Sequence, residues 1–250
     1  MKIVEEKIVV VGASGYPEIS DLLDDINENN NTIKVIAILD DNCSLHESQV
    51  MGVPVVGGLE LASSYPDDTK FIFAIGSAEN RLSRKGILQK VGVPSERFIN
   101  VVHPSAKVYS TVNLGYGCII LPNVVINHHT VIGDFCVISA NVTIACRCLF
   151  GEGVLLGPNS VVLESSKVGP CSYIGAGSVV SQYGEIGPGG FIGIGSVVLK
   201  PVLPGHFVMG NPPAGQISNV SVPQDILDEW ERLAIDLCKM FRSKNKMISI

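Results

Sequence analysis

The chain has 250 residues, 46% hydrophobic and 17% charged, with a formal net charge of −6 and a mean hydropathy of +0.34. That length supports one or two domains whose core needs no disulfide or metal staple, and the acidic balance argues against nucleic acid as the main partner, while a small anionic ligand can still be held locally. No run approaches the roughly 18 apolar residues of a membrane helix, so no membrane span is expected and the apolar excess belongs in buried sheet.

The chain opens on "MKIVEEKIVVVGASG", which mixes charges into a strand-like run and has no small-residue cleavage site after it. It does not read as a signal peptide, and the default location is the cytoplasm. The first hundred residues then alternate apolar runs with polar, helix-like stretches: "KIVVVGASG", "PEISDLLDDINENN", "IKVIAILDD" and "TKFIFAIGSAENRLSRKGILQKVG". This alternation predicts a Rossmann-like βαβ domain with a parallel sheet. "VVVGASG" places a glycine-rich turn straight after a buried strand, where backbone N–H groups and a helix N-terminus can hold phosphate. The full GxGxxG pattern is absent. Asp40 and Asp41 end the second strand, where an acidic residue can accept hydrogen bonds from a ribose or a base; a solvated turn is the alternative. Arg81 can pair with a diphosphate or lie on a solvated helix.

From Val108 the period becomes six. Val108, Leu114, Ile120, Ile126 and so on to Val198 make sixteen consecutive apolar positions at one spacing. Two residues before each stands a small or β-branched residue, Cys118, Cys136 and Cys148 among them, and glycine often follows. A hexapeptide β-helix accounts for all three columns: aliphatic side chains fill the bore, small residues pack near corners, and glycine turns the chain. The seven cysteines are odd in number, scattered and without a paired CxxC, which favours reduced thiols over a disulfide framework or zinc site. After the repeat, Ser221 to Gln224 reads as a capping box. Ile226, Leu227, Trp230, Leu233, Leu237, Met240 and Phe241 form the apolar stripe of a C-terminal α-helix.

The hexads and the closing "VMGNPPAG", combined with "VVVGASG", "AILDDN" and "FIFAIGSAENR", resemble the left-handed β-helix sugar acyltransferases of the NeuD and PglD type, over roughly residues 5 to 216. The resemblance implies a Rossmann-like nucleotide-sugar-binding domain at residues 1–102, a left-handed parallel β-helix at 103–216, and a helical extension at 217–250. It implies a homotrimer that moves an acetyl or other short acyl group from coenzyme A to the amine of a nucleotide-linked amino sugar, for a surface glycan such as lipopolysaccharide. Sialic-acid-type O-acetylation and a non-catalytic nucleotide-sugar-binding role are the rivals. Ser14, Gly15, Tyr16, Asp40 and Asp41 are expected at the nucleotide, and Leu155, Ala176 and Ile194 at the coenzyme. No metal is expected.

Where relatives carry a catalytic histidine in an "I-x-H-x-C" rung, this chain has Ile144, Ala145, Cys146, Arg147 and Cys148. A second histidine of the family falls on Leu155. In that family three hexads make one coil, which implies that residues 18 apart stack, so His128 in "INHHTVIG" should lie beneath Cys146, with His129 beneath Arg147. An imidazole suits a general base near neutral pH; an exposed, inert His128 or a reaction with no protein base are the alternatives. Cys146 as an acyl-accepting nucleophile lacks a flanking base. Cys148 belongs to the inward column, so the two thiols should diverge. His103 reads as a linker residue.

Overall fold

The structure, a computed structural model, describes residues 6–28, 33–211, 213–218 and 221–245. The N-terminal domain contains β1 (Glu6–Val11), α1 (Tyr16–Asn27), β2 (Ile33–Leu39), β3 (Gln49–Val50), β4 (Val53–Gly57), β5 (Lys70–Phe73) and α2 (Arg84–Val91). The sheet order is β3-β4-β2-β1-β5, with β4, β2, β1 and β5 parallel. Ile8 to Val11 are wholly buried, as a central strand covered on both faces requires. The short β3–β4 hairpin, missed by the alternation reading, turns on Met51 and Gly52 with φ of 49° and 77°; two successive left-handed residues match the twist of a tight hairpin.

The repeat is a three-sided prism of two-residue strands, each pairing in parallel with the strand 18 residues on. The first face runs from Lys107–Val108 to Val197–Val198, the second from Asn113–Leu114 to Glu185–Ile186, and the third from Val101–Val102 to Phe191–Ile192. Together with the parallel coil pairing, this is the expected left-handed β-helix. The inward column is buried from Ile120 to Val198, while Val108 and Leu114 at the open end are half-buried. At the other end the interval shortens to sixteen, Phe191 pairing with Phe207 in a strand, His206–Gly210, that turns back on Pro213–Ser218.

The small column does more than fit. Cys118, Thr130, Cys136, Cys148, Ser166, Ser172 and Ser178 each donate from Sγ or Oγ to the carbonyl fifteen residues on, at 2.8–3.3 Å. Cysteine, serine and threonine therefore interchange at these positions because each offers a short donor to a coil carbonyl that faces the bore.

The two domains share their cores. Ile119 and Leu121 pack with α1, and Phe135 joins Phe73 and Phe98, with ring centroids 5.7 and 5.1 Å apart. α3 (Gln224–Asn245) follows the prism. It starts three residues after the predicted cap, because Pro223 steers Val222 out of helical geometry and the Pro223 carbonyl accepts the Ile226 N–H at 3.1 Å instead. Ile226 is buried and Leu227 and Trp230 are half-buried; the side chains of Leu237, Met240 and Phe241 lie outside those described. Among the described residues no helix is long and apolar enough to cross a membrane.

Lys85 of α2 bonds both Asp225 and Glu229 of α3 at 3.0 Å. The Lys85 hydrogen bond holds the Asp225 carboxyl below its usual range. Burial opposes the Lys85 charge, yet the two carboxylates outweigh it and raise its pKa. A depressed carboxyl stabilises above its unfolded pKa and loses that as pH falls; a raised ammonium stabilises below its unfolded pKa and loses that as pH rises. The contact should therefore persist through neutral pH and weaken below about pH 4, where amide exchange in the first turns of α3 should quicken; Lys85→Met should show the same fast exchange at pH 7. In the bore, Phe150→Ala should cost about 3–5 kcal/mol, measured by denaturant unfolding, because its 1% exposed ring has no neighbour able to fill the void.

Candidate active site

The glycine-rich turn sits tightly on the end of β5. A Cβ on Gly15 would lie 1.9 Å from the Ala74 carbonyl oxygen, so only glycine fits. Asp40 staples this turn to β2: Oδ2 accepts the Ala13 N–H and Oδ1 the Asn42 N–H, both at 2.8 Å. Asp41 accepts the Leu59 N–H at 3.2 Å and pairs with Lys90 at 2.8 Å, and the Lys90 bond lowers its pKa. Ser14 is exposed beside them, whereas Tyr16 is 4% exposed and packs into the core. A crevice of about 60 Å³ lies between the strand ends and the third face of the prism, lined by Gly15, Glu18, Gly76, Ile119, Leu121 and Val137 among others.

Arg81 does not face this crevice as a free diphosphate ligand. It is 4% exposed, donates to the carbonyls of Ala78 at 2.8 Å and Gly189 at 3.4 Å, and lies over the Phe191 ring. Arg84, which sequence reasoning passed over, is 2% exposed and donates to Ile75 at 2.9 Å and Gly153 at 3.2 Å. Both guanidiniums bind the corner between the second and third faces, two coils apart, and fasten the N-terminal domain to the prism. The missed signal was two arginines three residues apart after a strand, with glycines 36 apart in the repeat.

The corner between the first and second faces carries Cys146. Backbone bonds from Arg147 to His128 and from Ser165 to Cys146, both 3.0 Å, set the expected stacking of His128 beneath Cys146 and add Glu164 above it. His128 is exposed; its Nδ1 lies 3.0 Å from Thr111 Oγ1 and its ring packs at a tilt against Tyr109, 4.2 Å between centroids. Arg147 pairs with Glu164, whose other oxygen accepts from Gln182 at 3.2 Å. Glu164 was missed, although adding 18 to 146 finds it. Cys148 is fully buried, and burial pushes its thiol up to about 11; Cys146 is only half-buried. His103 bridges Asp25 at 2.9 Å and Ser105 at 2.8 Å at the start of the prism.

Between the third and first faces, Asn123 and Asn141 form a side-chain ladder at 3.2 Å, with Asn159 in the next coil. Higher up the same column holds Gly177 and Gly195, and a Cβ at either would meet nothing within 4 Å. Ala176 and Ile194 flank these open glycines, and Ile194 is 68% exposed. Leu155 stands apart from them in the third face, 5% exposed between Val137 and Tyr173. A single chain does not bring the Cys146 corner and the Gly177 corner together. Among the described residues no three His, Cys, Asp or Glu side chains gather as a metal site.

Residues 7–89 match the PglD N-terminal domain family, and residues 111–146 and 147–182 each match the bacterial transferase hexapeptide (six repeats). PerB from Caulobacter crescentus, solved in complex with CoA and GDP-perosamine, is 27% identical with a TM-score of 0.70, over 85% of this chain and 98% of that one. WeeI from Acinetobacter baumannii is 26% identical at 0.70, over 85% and 100%. The acetyltransferase domain of PglB from Neisseria gonorrhoeae, with acetyl coenzyme A, shares the fold at 24% identity and 0.72, over 84% and 98%. No curated protein matches the sequence. Fold and comparisons together define an acyltransferase built on hexapeptide repeats. Its residues 7–89 are similar to the PglD N-terminal domain.

The corner geometry makes a direct chemical test of the two neighbouring thiols. With Cys43 and Cys238 replaced by serine, a maleimide at pH 7 should modify Cys146 in the folded protein and leave Cys148 untouched. Labelling of Cys148 before unfolding would contradict its place in the bore.

Proposed function

We propose that this protein transfers an acetyl or similar short acyl group from coenzyme A to the amine of a nucleotide-linked amino sugar, in the assembly of a surface glycan. The observation that carries the reading is the presence in one chain of a glycine-rich strand-end turn and a prism corner where open glycines replace an asparagine ladder. The first suits a nucleotide phosphate at a helix N-terminus; the second lets a long thin ligand approach backbone at Gly177 and Gly195, beside Ala176 and Ile194. The likeness to PerB, which was solved with CoA and GDP-perosamine, supports both halves. Ser14, Gly15 and Asp41 are the proposed nucleotide contacts, with Asp40 shaping the turn.

The reaction needs the Cys146 corner beside the Gly177 corner, and a homotrimer meets that need by laying one copy's corner against its neighbour's groove. The first face offers a flat contact, with Val125, Thr143, Val161, Val179 and Val197 pointing outward and Leu163 and Leu199 exposed beyond them. Cys146 stands where relatives carry their base. His128 is the proposed substitute one coil below: with its proton on Nδ1 and donated to Thr111, Nε2 presents a lone pair. The amine attacks the thioester carbon, the C–S bond breaks, and the amine proton passes through His128 to the departing thiolate.

Incubation with acetyl-coenzyme A and UDP-, dTDP- or GDP-linked amino sugars should release thiol with one of them. His128→Ala should lower kcat by about a hundredfold or more and flatten its acid limb. Nucleotide binding without turnover would instead mark a binding protein, and an unchanged kcat and pH profile would remove His128 as base.

A further inference from the structure

We propose that Glu164 is a substrate-binding residue that selects an amine over a hydroxyl at the reacting corner, a role that rests on the transfer reading above. Three observations converge. First, the backbone register places His128, Cys146, Glu164 and Gln182 in one outward column, at successive coil spacings of about 4.8 Å. His128 and Glu164 thus bracket the Cys146 position from below and above. Secondly, both bracket residues are held. His128 is fixed by Thr111 and the Tyr109 ring, and Glu164 by Arg147 on one oxygen and Gln182 on the other. Each Glu164 oxygen takes one donor and keeps a further lone pair, so Glu164 acts as a fixed acceptor on the side of Cys146 opposite His128.

Thirdly, this edge holds all four of its left-handed turns with residues that are neither glycine nor asparagine. His129, Arg147, Ser165 and Tyr183 have φ of 59–61°, whereas the corner between the third and first faces uses Asn123, Asn141, Asn159, Gly177 and Gly195 for the same conformation. The corner between the second and third faces uses Gly117, Gly153 and Gly189, with Phe135 and Cys171 between. Left-handed backbone is unfavourable for residues with a Cβ and clusters where function retains it. Arg147 occupies such a position and is the residue that holds Glu164.

The chemistry follows from counting hydrogens. A neutral primary amine has one lone pair and two N–H bonds. Over Cys146 it can direct one N–H down to His128 Nε2, one up to Glu164, and its lone pair outward to the thioester carbon. On attack the C–N bond forms, the C–S bond breaks with its electron pair leaving on sulfur, and His128 takes one proton; the other hydrogen stays on the nitrogen of the amide. A hydroxyl has a single hydrogen and can satisfy one acceptor only. It would forgo the bond to Glu164 that the amine makes, and that one missing bond to the carboxylate sets the discrimination.

The test compares 4-amino-4,6-dideoxyhexoses linked to UDP, dTDP and GDP with their 4-hydroxy counterparts, measuring affinity by calorimetry in the presence of coenzyme A and turnover with acetyl-coenzyme A. For the pair that binds best, the native chain should favour the amine by about tenfold to a hundredfold. Glu164→Ala should abolish that ratio by weakening the amine alone, with the hydroxyl sugar bound as before and the melting temperature little changed. Glu164→Gln keeps the shape and should lose most of the ratio, so the outcome stands even if the alanine variant folds poorly. Equal weakening of both ligands, or an intact ratio, would overturn the proposal. If no amino sugar is acylated but the affinity ratio behaves as described, the transfer reading falls and the role of Glu164 survives; failure of every pair to bind overturns both.

Discussion

Everything in this molecule depends on the eighteen-residue register of the prism. Backbone bonds between coils and one inward apolar side chain per face in each coil, from Ile120 to Val198, fix it together. A slip of one residue would turn the whole inward set to solvent, so the register is strongly specified. Once the inward column is fixed, each outward side chain has a face, a corner and a height. His128, Cys146 and Glu164 share a corner for no local reason; they do so because Ile126, Ile144 and Val162 stack in the bore.

The N-terminal domain exploits the same spacing. Arg84 and Arg81 bond carbonyls at Gly153 and Gly189, two coils apart on one corner, where both glycines hold left-handed backbone. Burying two such cations is costly unless their donors find acceptors. Backbone carbonyls and the faces of Phe73 and Phe191 supply part of that compensation, while Nε of Arg81 and one terminal nitrogen of Arg84 find no protein partner. Breaking either contact would leave a buried charge still less satisfied, so the junction is rigid. The crevice at Gly15 therefore has a fixed wall from the prism, at Ile119, Leu121 and Val137. Any ligand seated there meets both domains at once.

The fold was legible because its signals are periodic. The six-residue ladder gave the prism, its bore and the divergence of Cys146 from Cys148. The alternation of strands and helices gave β1, α1, β2 and β5. What escaped was short or non-periodic: the hairpin at Met51 and Gly52, and the delay of α3 by Pro223. Site residues were legible only where the register could be counted, as with His128. Arg81 was misjudged because an arginine after a strand end reads as solvent-facing, and nothing in the sequence announces the carbonyl of Gly189 that takes it inward. Glu164 stands in a polar stretch with no motif of its own, and only the eighteen-residue count from Cys146 marks it.

The three corners of the prism divide its tasks through one backbone requirement. Each must place a residue in the left-handed region every eighteen positions. Where another domain docks, glycines meet the requirement at Gly117, Gly153 and Gly189, with Phe135 and Cys171 in the coils between. At the third-to-first corner asparagines meet it while their side chains ladder, and glycines meet it where backbone must stay bare. At the Cys146 corner neither remedy is used, and the left-handed strain at His129, Arg147, Ser165 and Tyr183 is offset by the cooperative coil pairing around it. That pairing is what frees a corner to carry chemistry: a strained residue costs about 1–2 kcal/mol, a cost that a rigid stack of paired coils can absorb and an isolated turn of the same sequence could not.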